Sequence, residues 1–418
     1  MYNMTILGLC NLLAPGLWTA MNSLGAGGAQ SPQLVNAANA ATFCLMVVSC
    51  YFSTAIVHYI GIKHALSLGT IGYAPYAAGL YLNNRYGVEW LVLLGAVLCG
   101  ISAGLFWAVE AAIAIAYPEP WNKGRALGWW LTFRLLGQVL GGAINLGLNA
   151  DRNDAGKVSY AVYLVFITLQ ALGLVVSLAI MDKPWREMKA TAENFFRPQF
   201  LLILLWIGQA VFAEAVMFTY LALWFSVRAR ALGSFLGGVI GIIAGNAAGA
   251  WLDTTRLSVK TRGRYAFWFF TLASGAWWIW ATVLVSRFRV TQPTYDWASP
   301  GFGRAFVVYI LLNAMFQVNY LYLYFMVSHI ANGEPEVLRF AALLRGTESA
   351  WQAVSYGLTS LTVFAQVGGV YFNLVLWAFS VYPAWLVVRG FGATAAKSRQ
   401  LDHEAAQESA SDKIDTKG

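Results

Sequence analysis

Long apolar runs fill this chain, with short polar links between them. A helix that crosses the hydrocarbon core of a bilayer needs about 20 mostly apolar residues. Runs of that kind fall near 4–24, 37–60, 64–83, 88–116, 126–148 and 159–181, and again near 199–224, 231–252, 265–286, 304–330, 338–364 and 369–390. Strands of a membrane barrel would instead alternate in units of about ten residues, and no such alternation is present. The pattern predicts an all-α polytopic membrane protein with twelve transmembrane helices in two six-helix bundles. Residues 1–181 are expected to form the first bundle, 182–198 a cytosolic loop, 199–390 the second bundle and 391–418 a disordered cytosolic tail.

Composition narrows the class. Only 11% of the residues are charged and 59% are hydrophobic, whereas about a quarter of a soluble chain is charged. The expected surroundings are therefore a lipid bilayer. The net charge of +8 is spread over short loops with no extended basic arm. It reads as positive-inside bias and contact with anionic lipid, and no nucleic-acid partner is expected. With the amino terminus in the cytosol, 17 Lys and Arg fall on inner loops and tail against 8 on the outer side, which predicts that both termini are cytosolic. The sequon Asn3-Met4-Thr5 would then stay unglycosylated. Met1-Tyr2-Asn3 lacks the basic stretch of a cleavable signal, so the first span is read as an uncleaved anchor in the plasma membrane or an endomembrane. Cys10, Cys44, Cys50 and Cys99 all fall in apolar runs and are read as packing residues rather than metal ligands or disulfides. No HExxH, Walker loop, GxSxG in context or zinc-type Cys/His spacing occurs, so no enzyme activity, cofactor or metal site is expected.

Polar residues inside the apolar runs are the candidate chemistry. A charge in hydrocarbon costs several kcal/mol or more, so such residues usually face a bundle interior or a wet cavity. They are densest in residues 304–357, where one run carries Asn313, Gln317, Asn319 and Tyr320 and the next carries Arg345, Glu348 and Gln352 at helical spacing. Asn313, Gln317 and Tyr320 share one helix face and Asn319 points elsewhere. Asn11, Asn22, Glu110, Arg134 and Glu214 are the other such residues. A shift of 214 positions lays Arg125 on Arg339, Gln138 on Gln352 and Arg134 on Glu348, the kind of internal symmetry that two-bundle transporters show. The eighth run has Gly233, Gly237, Gly241, Gly245 and Gly249 at every fourth position. That spacing predicts close backbone packing, with the fifth run and its Gly137 and Gly141 as the expected neighbour.

Several blocks resemble one family. PGLWTAMNSLGAGGAQ at 15–30 is similar to the opening span of the Unc-ninety-three-like branch of the major facilitator superfamily, through Pro15, Gly16, Asn22, Leu24, Gly25, Gly27 and Gly28. The block around Trp107, Tyr117, Pro118, Lys123, Gly124 and Arg125 resembles a second motif, and Arg228, Arg230, Ala231 and Leu232 a third. QVNYLYLYFM with VLRFAALLRGTESAWQAV resembles the family's tenth and eleventh spans. The resemblance is strongest to fungal members. One departure is the second loop, Gly61-Ile62-Lys63-His64, which lacks the acidic residue usual in the superfamily.

The resemblance implies a twelve-helix facilitator fold in which spans one, four, seven and ten line a central cavity. That would place Asn22, Glu110, Glu214, Asn313, Gln317, Asn319 and Tyr320 around it, joined from spans five and eleven by Arg134, Arg345, Glu348 and Gln352. Members of the family include presumed transporters, channel regulators and trafficking chaperones, so two readings stay open. One is a secondary transporter of a small molecule or ion, with Glu214 or Glu110 as proton carriers and Arg134 and Arg345 pairing with an acid or an anionic substrate. The other is a non-transporting regulator of a channel, or an escort for a client membrane protein. In that case the polar residues would be interhelical hydrogen bonds, and Tyr320, Tyr322 and Tyr324 interfacial anchors.

Overall fold

The computed structural model describes residues 2–24, 32–116, 123–151, 157–179, 194–254, 256–331 and 334–391. Most of the expected central loop, and the tail past residue 391, lie outside these residues, as do Tyr117 and Pro118. The described chain forms twelve long helices. The first, α1, comprises Tyr2–Asn11, a π-helical turn Leu12–Gly16 and Leu17–Ser23. Pro15 sits inside the widened turn, where a missing N–H disturbs the regular ladder, and its carbonyl accepts a bond from Thr19 Oγ1.

Pro32–Ile71 is helical except at Gly61, whose φ of 80° only glycine adopts readily, and Tyr73–Tyr86 continues the run. Residues 32–60 are α2 and 62–86 are α3. The next helix, α4, is Trp90–Ala116. Its close approaches show what Gly61 does: Gly100 and Gly104 lie against Thr42 and Met46, so α2 runs parallel to α4. Gly69, Gly72 and Gly79 lie against Phe106, Cys99 and Leu91, so α3 runs antiparallel to α4. The chain therefore reverses direction at the glycine between them. The remaining helices are α5 (Lys123–Asn149), α6 (Tyr160–Ser177), α7 (Pro198–Trp224), α8 (Val227–Leu252), α9 (Val259–Thr291), α10 (Phe302–Ile330), α11 (Glu334–Thr359) and α12, a π-turn Phe364–Gly368 followed by Gly369–Val388.

Ten of the helices are long and apolar enough to cross a membrane; α3 and α11 are not among them. In α11 the charged Arg345 and Glu348 are buried against other helices, where lipid does not reach them. In lipid every backbone group must bond within its own helix, so the apolar pattern and the helical fold go together. Ser226 and Ser258 cap α8 and α9, accepting bonds from the backbone N–H groups of Ala229 and Thr261.

The two halves meet along two antiparallel helix pairs. In the first, α5 packs on α8: Gly142 lies against Phe235, Gly238 against Val139 and Gly245 against Leu131. The predicted glycine face is shared between neighbours: Gly245 meets α5, Gly241 meets both α5 and α10, and Gly233 and Gly237 meet mainly α7 and α10, while Gly137 and Gly141 turn to Gly16 and Ala20 of α1. At one end of this pair the Arg125 N–H donates to Asp253 Oδ2 at 2.6 Å. In the second pair α2 packs on α11: Asn36 Nδ2 donates to the Thr359 carbonyl at 3.2 Å, Phe43 stacks on Tyr356 with centroids 5.2 Å apart, and Tyr51 lies under Gly346. Both pairs stay in contact along their length, so the seam between the halves is closed toward both mouths.

Away from the seam, the α7–α8 and α9–α10 connections are joined. The Ser226 N–H donates to the Tyr295 carbonyl and the Tyr295 N–H to the Trp224 carbonyl. Arg228 and Ser226 both donate to Asp296 in the same corner. The Arg228 guanidinium holds the Asp296 carboxyl well below the usual carboxylate range, against an opposing effect of partial burial. Of the cysteines, Cys10, Cys50 and Cys99 are buried packing residues, while Cys44 is exposed on the helix surface.

Candidate functional site

The closed seam encloses a cavity of about 30 Å³, room for about two waters. Its polar wall comes from both halves: Arg134 on α5, Glu214 on α7, and Arg345, Ser349 and Gln352 on α11. Trp107 on α4 and Tyr320 on α10 supply aromatic wall between them.

Three helices fix the charges. Arg345 Nη1 donates to Glu348 Oε2 at 2.6 Å, three residues apart on one face of α11. Gln352, one turn further, donates through Nε2 to Glu214 Oε2 at 2.7 Å. Arg134 Nη2 lies 3.8 Å from Glu214 Oε1, close enough to attract but beyond hydrogen-bond distance. All four charged side chains are at least nine-tenths buried. Two guanidiniums and two carboxylates balance in sign, and that balance makes their burial tolerable.

Both arginines stack on the same rings. The guanidinium carbon of Arg345 is 4.1 Å from the Trp107 centroid and that of Arg134 is 4.8 Å from it. Tyr320 lies 5.2 and 5.1 Å from the two carbons, and Tyr324 lies 5.3 Å from Arg345. A desolvated contact of this kind stabilises by about 2 kcal/mol or more. The arginines nonetheless keep buried N–H groups with no partner: Nε and Nη1 of Arg134, and Nε and Nη2 of Arg345.

Of the residues singled out from the sequence, Arg134, Glu214, Tyr320, Arg345, Glu348 and Gln352 come together here. The others do not. Asn22 accepts from Asn39, which in turn accepts from Tyr76, a network inside the first bundle that holds α1, α2 and α3 together. Glu110, one turn from Trp107, accepts from Trp130 Nε1 at 2.5 Å and does not line the cavity. Asn313 lies against Gly237 and Gln317 against Gly241, both on α8, and Asn319 donates to Ser274 on α9. Tyr322 and Tyr324 are buried rather than interfacial, and Tyr322 donates to the Gly263 carbonyl. Cavity residues missed from the sequence include Trp107, Phe43 and Ser349. Trp107 had a usable signal, its place one helical turn before Glu110. Phe43 had none, because an aromatic in an apolar run looks the same whether it faces lipid or protein.

A two-bundle, twelve-helix membrane protein with a charged seam is a major facilitator-type protein, and comparison with known proteins agrees. No protein-family model matches the chain. It is 38% identical, over 94% of its length and 89% of the other, to a notoamide biosynthesis cluster protein of Aspergillus versicolor. It is 24% identical to a UNC93-like protein of Schizosaccharomyces pombe, covering 84% of this chain and 75% of that one. With UNC93-like protein 1 of Arabidopsis thaliana it shares 25% identity over 84% and 82% of the two chains. Among solved structures, a D-xylose-proton symporter shares the fold with a TM-score of 0.67 at 13% identity, over 92% of this chain and 96% of that one. The human organic anion transporter MFSD10 does so at 0.64 and 13%, over 92% and 98%. The chain belongs to the UNC93-like branch of the major facilitator superfamily and is a multi-pass integral membrane protein.

Proposed function

We propose that the protein is a secondary transporter that moves a small solute or ion across a membrane by alternating access. The observation that carries this reading is the Arg134–Glu214 contact, an ion pair shared between the two halves across a buried cavity. In alternating access the bundles rock about a site at their interface, so this pair sits where parting must occur. Parting leaves each charge without its partner in a dry seam, which costs several kcal/mol unless something replaces the partner. A proton on Glu214 and an incoming ligand at Arg134 would do so. The charged side chains nearest Glu214 are Arg134, Arg345 and Glu348, and Gln352 donates to it.

In this reading residues 1–181 and 199–390 are the moving halves, both termini are cytosolic, and the protein sits in the plasma membrane or an endomembrane with no catalytic role. The test is uptake or efflux by the purified full-length protein in liposomes, against ions, sugars and small organic acids, with and without a pH gradient. Saturable flux that responds to the gradient supports it. Absence of flux for every solute, together with mislocalisation of a client membrane protein when the gene is deleted, would favour the escort reading instead.

A further inference from the structure

We propose that the seam cavity is a carboxylate site. It takes an organic anion whose carboxylate lies between the guanidiniums of Arg134 and Arg345 and whose apolar body rests on Trp107, Tyr320 and Phe43. This names a substrate class for the transport reading and rests on that reading for direction of travel, but the binding claim stands on the geometry alone.

The first observation is the set of unpartnered donors. Nearly all buried polar groups in folded proteins have a hydrogen-bond partner. Here four guanidinium nitrogens on two residues, each 5% exposed, have none. Nε and Nη2 of Arg345 belong to one edge of its guanidinium, the edge that receives both oxygens of a carboxylate in a bidentate pair. Glu348 engages only Nη1 and leaves that edge intact. Arg134 is held still more loosely, at 3.8 Å from its acid. What both arginines lack is acceptors.

The second observation is the cavity itself. It lies against these two arginines and, with the seam closed, has room for about two waters, so it admits the carboxylate oxygens and the apolar body enters as the seam widens. The remaining wall is largely aromatic, with Trp18, Phe43, Trp107, Phe316 and Tyr320. Planar rings suit a planar or apolar body behind the carboxylate. Other ligand classes fit less well. Guanidiniums only donate, so a polyhydroxylated neutral solute would leave its own donors unmet by them. Glu214 also lines the cavity and would oppose an anion while charged, so an entering carboxylate goes with a proton on Glu214, as the transport reading already has it. Glu348 Oε1 also lacks a partner, but Glu348 is turned to Arg345 and does not line the cavity.

The test is direct binding to the purified full-length protein in nanodiscs, read by titration calorimetry and by thermal shift. Benzoate and 1-naphthoate are compared with the neutral benzamide and the cationic benzylamine. The carboxylates should bind saturably and raise the melting temperature, while benzamide and benzylamine do neither. Arg345→Gln combined with Glu348→Gln removes the fork without leaving an orphan charge, and should weaken carboxylate binding about tenfold or more. Failure of the wild-type protein to bind either carboxylate, equal binding of benzamide, or unchanged affinity in the folded double variant overturns the proposal. Because the wild-type comparison needs no mutant, a variant that fails to fold does not rescue it. Flux of other solutes without carboxylate binding would remove this site and keep the transport reading. Carboxylate binding without flux of any solute would do the reverse.

Discussion

Arg134 on α5 and Glu214 on α7 face each other across the seam between the two halves, with Nη2 3.8 Å from Oε1. The acid is held from its other side by Gln352, which leaves the arginine the looser member of the contact. This arrangement separates two jobs. Gln352 keeps Glu214 in place when Arg134 departs, and the charge on Glu214 governs how strongly the halves attract.

Glu214→Gln should therefore keep the fold and lose coupling. The amide retains the shape and a hydrogen bond to Gln352 but carries neither charge nor proton. The protein should still fold, at a melting temperature lowered because Arg134 loses its acid, while the pH-gradient-dependent part of liposome uptake disappears. Uptake that still follows the gradient would remove Glu214 from the mechanism.

The Arg345–Glu348 pair gives a stability prediction. Removing one member of a buried pair strands the other, at a cost of about 3–5 kcal/mol. Arg345→Ala or Glu348→Ala alone should lower the melting temperature and yield more than Arg345→Gln and Glu348→Gln together. The double change leaves polar groups but no orphan charge. A double variant less stable than either single one would contradict this account.

At the seam, α8 presents glycine where α5 approaches. A Cβ on Gly238 would sit 2.7 Å from Val139 Cγ2 and 3.0 Å from the Val139 amide nitrogen. Gly238→Leu should destabilise by about 1–3 kcal/mol or more through overpacking, because backbone cannot swing aside as a side-chain tip can. Gly241→Leu meets only side chains, Gln317 and Leu135, at 3.1 and 3.2 Å, and should be milder. The order of the two in yield and melting temperature is the check.

Asp296 gives a pH prediction outside the membrane spans. Its carboxyl titrates lower in the folded protein than in the unfolded chain, because Arg228 and Ser226 donate to the charged form. The stabilisation is therefore fully present above the unfolded carboxylate range, about pH 4, and is lost as the pH falls below it. Wild-type protein should lose thermal stability between about pH 4 and 2 more steeply than Asp296→Asn. Parallel curves would show that this corner contributes nothing to acid sensitivity.

Tags at the two ends test topology independently of the site. Both should be reachable from the cytosol, and Asn3 should carry no glycan, given the excess of basic residues assigned to inner loops. A carboxy-terminal tag cleaved by protease from the opposite side would overturn that orientation.

The twelve-helix pattern was readable from the sequence because the bilayer imposes it locally: an apolar stretch about 20 residues long has to satisfy its own backbone, and only a helix does so. The glycine spacing of α8 was readable for a similar reason, since small residues every fourth position make one flat helix face whatever the partner. Even α11, not among the helices long and apolar enough to cross a membrane, showed itself through Arg345, Glu348 and Gln352 on a single face. Tertiary structure decided which polar residues serve the cavity. Asn22 and Asn319 resemble Gln352 in chemistry and in sequence setting, yet the first two tie helices within a bundle while Gln352 holds the acid at the seam. Glu110 and Glu214 are both lone acids in apolar helices, and only one of them faces an arginine across the seam. The convergence of Arg134 and Arg345 on Trp107 had no local signature at all. Helical period assigns a residue to a face of its own helix, but the rotation and tilt of that helix against its neighbours depend on packing between residues far apart in the chain, and that packing determines what the face meets.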